Sequence, residues 1–408
     1  MIRKARRRKA IHMNQRESTT NDKKSITKYI LIPDSFKGTM SSIKICQIME
    51  ESIRRFQPHA QILSIPVADG GEGTVDCFLT AIKGERSRLS VCGPYPDEPI
   101  TAEYALLEEG KIAVLETASC AGLPLVTDRA NPGRTTTYGL GEQIQHALSS
   151  GAQKLIVGLG GSATNDGGCG AAAAVGVRFY NAEGQIFIPT GITLSEIASI
   201  DCSRVSPLLR ETEIVAMCDI DNPMYGENGA AHVFAPQKGA DEAMVHLLDD
   251  GLRHLARLIQ RDIGIDASTL PGAGAAGALG AGMAAFFGAK LQMGIDIILE
   301  TVGFDQLLDT NTLVFTGEGK IDKQSLRGKV VIGVARHAKV HGTPVIAFVG
   351  DIGDDIDSAY DEGVTGIFSI NRIAAPYSVL RNRAENDLRL TVENFLRVRA
   401  MDLSHSNR

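Results

Sequence analysis

The run Lys154-Leu155-Ile156-Val157-Gly158-Leu159-Gly160-Gly161-Ser162-Ala163-Thr164-Asn165-Asp166-Gly167-Gly168 decides how the chain is read. Its apolar opening, Leu155 to Val157, has the length and composition of a buried strand. Five glycines stand among the eleven residues 158–168. They let the backbone turn sharply and approach a ligand closely. An Ala/Gly-rich helical stretch, Cys169 to Val175, follows. A strand, a Gly-rich turn and a helix N-terminus together favour an anion. A turn alone would need the glycines but not the short polar groups crowded around one carboxylate. Gly160, Gly161, Ser162, Thr164 and Asn165 are therefore expected to contact phosphate, and Asp166 to hold a metal or accept a proton.

The same strand–loop–helix unit recurs on both sides. Tyr29 to Pro33 reads as a strand, Asp34 to Thr39 as its loop, and Ser41 or Ser42 as the cap of a helix reaching about Phe56. Ile62 to Val67 is the next strand and Ala68 to Thr74 the next loop. Residues 90–116 alternate in a way that predicts antiparallel strands. Helix and strand then alternate again through 139–148, 155–159 and 214–218. A Gly/Ala-rich helical stretch covers 271–291. The last third returns to strand 313–316, loop 317–322, helix 330–341 and strand 344–349. The expected fold class is α/β with two domains. A doubly wound, flavodoxin-like parallel sheet takes residues 29–95 and 290–395. A mixed α/β domain, 96–289, is inserted in it, and ligands are expected at the carboxyl ends of the strands.

Composition fits a globular protein of 408 residues, with 43% hydrophobic and 22% charged residues and no Trp. No apolar run approaches the roughly 20 residues that span a bilayer. The seven cysteines show neither a C-x-x-C pair nor zinc spacing, so reduced packing residues in a cytoplasmic protein are expected. The net charge of −6 is uneven. Residues 1–28 hold ten Lys and Arg against Glu17 and Asp22, a charge of +8, which leaves −14 for the rest. The basic run Arg3 to Lys9 has no secretory apolar stretch and no interleaved aromatics. It reads as a disordered leader rather than a nucleic-acid or membrane contact, and Met13 is an alternative start.

Further acidic and basic loops accompany the first. Asp34, Ser35 and Lys37 lie in Asp-Ser-Phe-Lys-Gly, and Asp69 and Glu72 in Ala-Asp-Gly-Gly-Glu-Gly-Thr. Asp219, Asp221 and Asn222 follow the strand ending at Cys218. Gln237 and Lys238 stand in Pro-Gln-Lys-Gly, and Glu318 and Asp322 in Gly-Glu-Gly-Lys-Ile-Asp. Phosphoryl transfer needs this mixture: carboxylates for Mg²⁺, lysines for developing charge, and one carboxylate to take a hydroxyl proton. No Walker-A signature occurs. Gly272-Ala273-Gly274-Ala275-Ala276-Gly277 matches G-x-G-x-x-G, but no strand precedes it, as a dinucleotide fingerprint requires. A second nucleotide loop or close helix packing is the better reading of Gly272 and Gly274.

In these motifs, taken in order from about Ile30 to Gly350, the chain resembles the type 1 glycerate kinase family. The resemblance rests on residues 34–38, 66–74, 158–168, 218–223, 236–240, 272–277 and 316–322. Ser325, where Thr is expected, and the basic leader depart from it. It implies transfer of the ATP γ-phosphate to D-glycerate in a cleft between two α/β domains, giving 2-phosphoglycerate, with Mg²⁺ as cofactor. Lys37 and Arg134 are the expected carboxylate partners, with Asp34, Ser35 and Asp69 around the substrate. Asp219 and Asp166 are the base and metal candidates, Lys37 is the catalytic cation, and Lys238 binds phosphate. Asp166, Asp219, Glu318 and Asp322 are the expected metal ligands. Phosphorylation of the 3-hydroxyl, a nicotinamide-dependent hydroxy-acid oxidoreductase, and a non-catalytic anion sensor stand as alternatives.

Overall fold

The computed structural model describes residues 26–405, and most of the expected leader lies outside them. Two sheets carry the fold. The first has five parallel strands, ordered Val364–Ser369, Val345–Val349, Thr312–Gly317, Lys28–Pro33 and Gln61–Ser64. Numbered along the chain, that is the flavodoxin-like order 2-1-3-4-5, read from the other edge. The second runs Lys290–Gln292, Glu213–Met217, Lys154–Gly158, Ile112–Glu116, Pro99–Leu107 and Gly84–Cys92. Its first four strands are parallel and its last two pairings antiparallel.

Alternation along buried strands assigns each residue to a layer. In Lys28–Pro33, Tyr29 and Leu31 face helices Ser42–Phe56 and Ala384–His405, packing with Ile45, Met49, Leu388 and Val392. Ile30 and Ile32 point the other way. They join a core that includes Val114, Ile156 and Val215 from the second sheet. Leu155 and Val157 turn to the far side, toward the helices Tyr138–Ser149, Glu242–Asp262 and Ala275–Phe287. One continuous apolar layer therefore ties the sheets together, and Ile156 is fully buried in it.

Sheet membership changes after Ala81 and again before Thr312, because Gly84–Cys92 and Lys290–Gln292 both pair within the second sheet. Division by sheet thus falls earlier than residue 95 and later than 290. The expected helix over 271–291 is shorter, Ala275–Phe287. It begins with Ala276, Gly277 and Ala278 in left-handed conformation, at φ 55°, 69° and 65°. A Cβ on Gly277 would meet the Thr164 carbonyl oxygen at 2.0 Å. The turn is pressed against the 158–168 loop too closely for an ordinary helical start. Among the described residues no helix is long and apolar enough to cross a membrane, and all seven cysteines are free.

Candidate active site

The carboxyl ends of the two sheets border a cleft of about 820 Å³. Three of its walls come from strand ends in the first sheet. Asp34 follows Lys28–Pro33, Asp69 follows Gln61–Ser64, and Glu318 follows Thr312–Gly317. Ser42 fixes two of these loops at once: its Oγ donates to the Pro33 carbonyl at 2.8 Å and accepts from the Val67 amide at 2.7 Å. The opposing walls are the 158–162 turn, Asp219 after Glu213–Met217, and Lys238. The 158–162 turn rests on the Gly70-Gly71 turn. The Gly160 amide donates to the Gly70 carbonyl at 2.9 Å. A Cβ on Gly160 would come within 2.7 Å of the Gly71 nitrogen, so only glycine fits.

The charged groups in the cleft are not alike. Lys37 Nζ donates to Asp69 Oδ2 at 2.7 Å. The bond raises the Lys37 pKa. Burial works to raise Asp69, but Lys37 and the Gly71 amide outweigh it and hold the carboxyl low. Asp34 and Asp219 lack such a cation. Burial lifts each to about 6, helped by the neighbouring Asp69. Asp34 Oδ1 accepts from the Ser35 amide at 2.6 Å and Asp219 Oδ1 from the Gly294 amide at 2.7 Å. Burial lifts Glu318 to about 7, and its Oε1 has no partner among the described residues. Lys238 is 3% exposed. Its Nζ donates to Ser162 Oγ at 2.9 Å and to the Thr164 carbonyl at 2.8 Å. Burial pulls its pKa down to about 7, against the attraction of Asp166.

Asp34, Ser35, Lys37, Asp69, Asp219, Glu318, Lys238, Gly160, Gly161 and Ser162 therefore all line one cleft. The remaining expected residues do not. Asp166 is wholly buried. Its Oδ2 accepts from the Thr137 amide and hydroxyl and the Gly170 amide, at 2.8, 2.9 and 3.2 Å, and its Oδ1 from the Gly168 amide at 3.1 Å. Four donors occupy its oxygens, leaving no open face for a metal or substrate. Burial pushes its pKa up while these bonds oppose the rise. Thr164 and Asn165 are also fully buried behind the turn. Arg134 is exposed and does not line the cleft, while the neighbouring Thr135 Oγ1 donates to the Ala163 carbonyl at 2.8 Å. Asp322 caps a turn, accepting from the Gln324 amide at 2.9 Å. Gly272 and Gly274 back the Cys218–Pro223 loop, where a Cβ would meet Cys218 Sγ at 2.7 Å and the Pro223 carbonyl at 2.3 Å. Ala275 and Ala276 beside them reach the cleft.

The structure adds Lys329, Phe234, Leu123 and Tyr377 to the lining. Lys329 stands at the N-cap of helix Val330–Val340 and draws down the pKa of both Asp219 and Glu318. Helix onset after Gly328 was the available signal for it. Tyr377 gave no local signal, since it arrives from a short helix far along the chain. Among the described residues no three His, Cys, Asp or Glu side chains cluster as a metal cage. The arrangement suits Mg²⁺, which commonly takes one or two carboxylates and completes its shell with phosphate and water. Glu318, with an unpartnered buried oxygen, has the donor for that role.

Comparison with known proteins places the chain in a family. A profile of the glycerate kinase family matches residues 29–400. The chain is 44% identical over 342 residues to a glycerate kinase of Halalkalibacterium halodurans, covering 84% of this chain and 90% of that one. It is 42% identical over 344 residues to the glycerate 2-kinase of Escherichia coli K12, covering 84% and 91%. A crystal structure from Salmonella typhimurium LT2, of a presumed glycerate kinase 2, superposes with a TM-score of 0.81 at 37% identity. It covers 93% of this chain and 100% of that one.

Proposed function

The chain belongs to the glycerate kinase family, and on that ground we propose that it is a cytoplasmic enzyme that transfers the ATP γ-phosphate to the 2-hydroxyl of D-glycerate. The observation that carries the reading is one cleft with two kinds of charge. Lysines 37, 238 and 329 supply cations for a carboxylate and phosphates. Asp34, Asp219 and Glu318 are carboxylates without a lysine partner whose pKa values lie near neutrality.

Asp219 is proposed as the base. A carboxylate near pH 6 is ionised at neutral pH yet basic enough to take a hydroxyl proton in the transition state. As the glycerate oxygen bonds to the γ-phosphorus, its proton passes to Asp219 Oδ2, whose sister oxygen is held by Gly294. The bond from the γ-phosphorus to the β-phosphate oxygen breaks, and ADP leaves. Glu318 and Asp34, from neighbouring strands of the first sheet, would hold Mg²⁺. The ion would supply charge neutralisation for the phosphates. Lys238 and the Gly160-Gly161 turn would grip a phosphate group, and Lys37, positioned by Asp69, would meet the glycerate carboxylate. Asp166 acts at one remove, by fixing the loop that carries Ser162 and Thr164.

The nicotinamide alternative loses its motif, because Gly272–Gly277 follows no strand and packs against protein backbone. The test is NMR identification of the product from D-glycerate and MgATP. Stoichiometric ADP and 2-phosphoglycerate are expected. 3-Phosphoglycerate would overturn the regiochemistry, and absence of ADP would overturn the kinase reading.

A further inference from the structure

A second pocket, of about 430 Å³, opens beside the cleft at the carboxyl ends of the first sheet. Its floor is apolar: Phe36, Ile370, Leu380 and Ala384 are buried or half-buried. Its rim is the segment Asn371 to Tyr377. That segment leaves large apolar surface in water, with Ile373 at 42% and Tyr377 at 59% exposure. Lys37, Gly319 and Tyr377 line both the pocket and the cleft, so the two spaces adjoin. Exposed apolar side chains rimming a concavity mark a binding site.

We infer that this pocket receives the base and ribose of the phosphoryl donor, with its phosphates passing Lys37 and Gly319 into the cleft. The inference rests on the kinase reading and adds the place of the nucleoside. A purine needs apolar contact on its faces and a donor and acceptor at its edge. Phe36, Ile373 and Ala375 offer the first. Asn371 offers the second: its backbone amide is already bound to Ser369 Oγ at 3.1 Å, and its exposed side-chain amide lines the pocket. Arg381 brings a planar cation able to stack on a ring. Asp351 brings an acceptor for ribose hydroxyls. The cleft itself is ringed by carboxylates and lysines, which suit phosphate and glycerate. The competing place is its far end, where Leu123 and Phe234 are apolar.

Two variants of the full chain separate these places. Ala375→Trp fills the pocket, and Ile373→Ser strips an exposed wall without disturbing the core. The KM for ATP should rise roughly tenfold or more in the first and severalfold in the second, as expected when an apolar ligand moiety loses its site. The KM for D-glycerate should move less than about twofold, a shift under half a kcal/mol. Calorimetry gives a readout independent of turnover. Adenosine should bind the parent chain and fail to bind Ala375→Trp, whereas inorganic tripolyphosphate should bind both. Unaltered adenosine binding and unaltered KM for ATP in both variants would overturn the assignment. So would a rise in the KM for ATP with Phe234→Ala alone. These outcomes require a parent enzyme that makes ADP. A parent chain that makes none fails the kinase reading instead, and the two failures are thereby distinct.

Discussion

Asp166 and Asp219 follow neighbouring parallel strands of the same sheet, yet they end in opposite conditions. Asp166 has four protein donors and no exposure. Asp219 has one amide on Oδ1, lines the cleft, and sits at about 6. What separates them is the number of backbone amides that converge on the side chain. The 166–170 turn folds Gly168 and Gly170 back onto its own carboxylate, and Thr137 closes the remaining side. The loop at Asp219 runs on toward Asn222 without such a return. A carboxylate saturated by its own loop is a structural anchor, and one left with a free oxygen in a cleft is available for chemistry.

Replacing each aspartate with asparagine tests this difference most severely. Asp219→Asn should lose about 10²–10⁴-fold in kcat, the typical contribution of a positioned base, with little change in melting temperature. Asp166→Asn should do the reverse. Its amide would face donors with a donor, and leaving buried amides unsatisfied costs on the order of 1–3 kcal/mol for each group. Turnover per folded molecule should fall far less than in the first variant. Steady-state kinetics beside thermal unfolding reads both. Equal losses of turnover in the two would erase the distinction.

Lys238 lies between the two regions, held by the Asp166-anchored loop yet lining the cleft, and it sharpens the comparison through pH. Its folded-state pKa is depressed to about 7, below the ordinary lysine value. Below pH 7 both folded and unfolded chains carry its proton, and this group gives no slope. Above pH 7 the unfolded chain keeps a proton that the folded chain releases, so stability rises with pH until the ordinary lysine range. Lys238→Met should remove a slope of up to about 1.4 kcal/mol per pH unit in that window and raise the KM for ATP. Denaturant titrations at several pH values measure it. Identical slopes in parent and variant would mean that Lys238 keeps its charge when buried.

The sequence made some of this legible and hid the rest for physical reasons. Continuous apolar runs marked the inner parallel strands of both sheets, because burial on both faces leaves a plain signature. The edge strands Lys290–Gln292 and Val364–Ser369, only partly buried, carried no such run. Loops after strands located Asp34, Asp69, Asp219 and Glu318, since parallel strands bring their carboxyl ends to one side. The fate of Asp166 was hidden because its partners include Thr137, on a different loop. Arg134 looked suited to a carboxylate, but it is exposed and does not line the cleft, while the neighbouring Thr135 hydroxyl ties the loop to the Ala163 carbonyl. Sheet membership of Gly84–Cys92 was hidden too, because an edge strand and a domain linker share a half-polar pattern. Tyr377 depends on the chain returning to the first sheet after the second-sheet stretch 84–292, and no local pattern records that return; for Lys329 only the helix onset after Gly328 was visible.

Tyr377 supplies the mildest test, on the side of the cleft where Lys37 must stay in place without the many donors that Asp166 enjoys. Its hydroxyl donates to the Lys37 carbonyl at 3.3 Å and pairs with Thr39 Oγ1 at 3.1 Å. Between them lies Gly38, in left-handed conformation at φ 73°. The Lys37 loop thus has two restraints, one on its backbone from Tyr377 and one on its side chain from Asp69. Both are partly exposed, so each is weak. Tyr377→Phe removes the first and keeps the ring. Losing exposed hydrogen bonds of this kind costs about 0.5–1.5 kcal/mol. Catalytic efficiency with D-glycerate should fall a few-fold, mainly through KM, with kcat nearly kept. Tyr377→Ala should add a rise in the KM for ATP, because it also removes the wall between cleft and pocket. If Tyr377→Phe lowers kcat as strongly as Asp219→Asn, the hydroxyl takes part in the chemistry, and the boundary between anchoring and reacting groups drawn here lies in the wrong place.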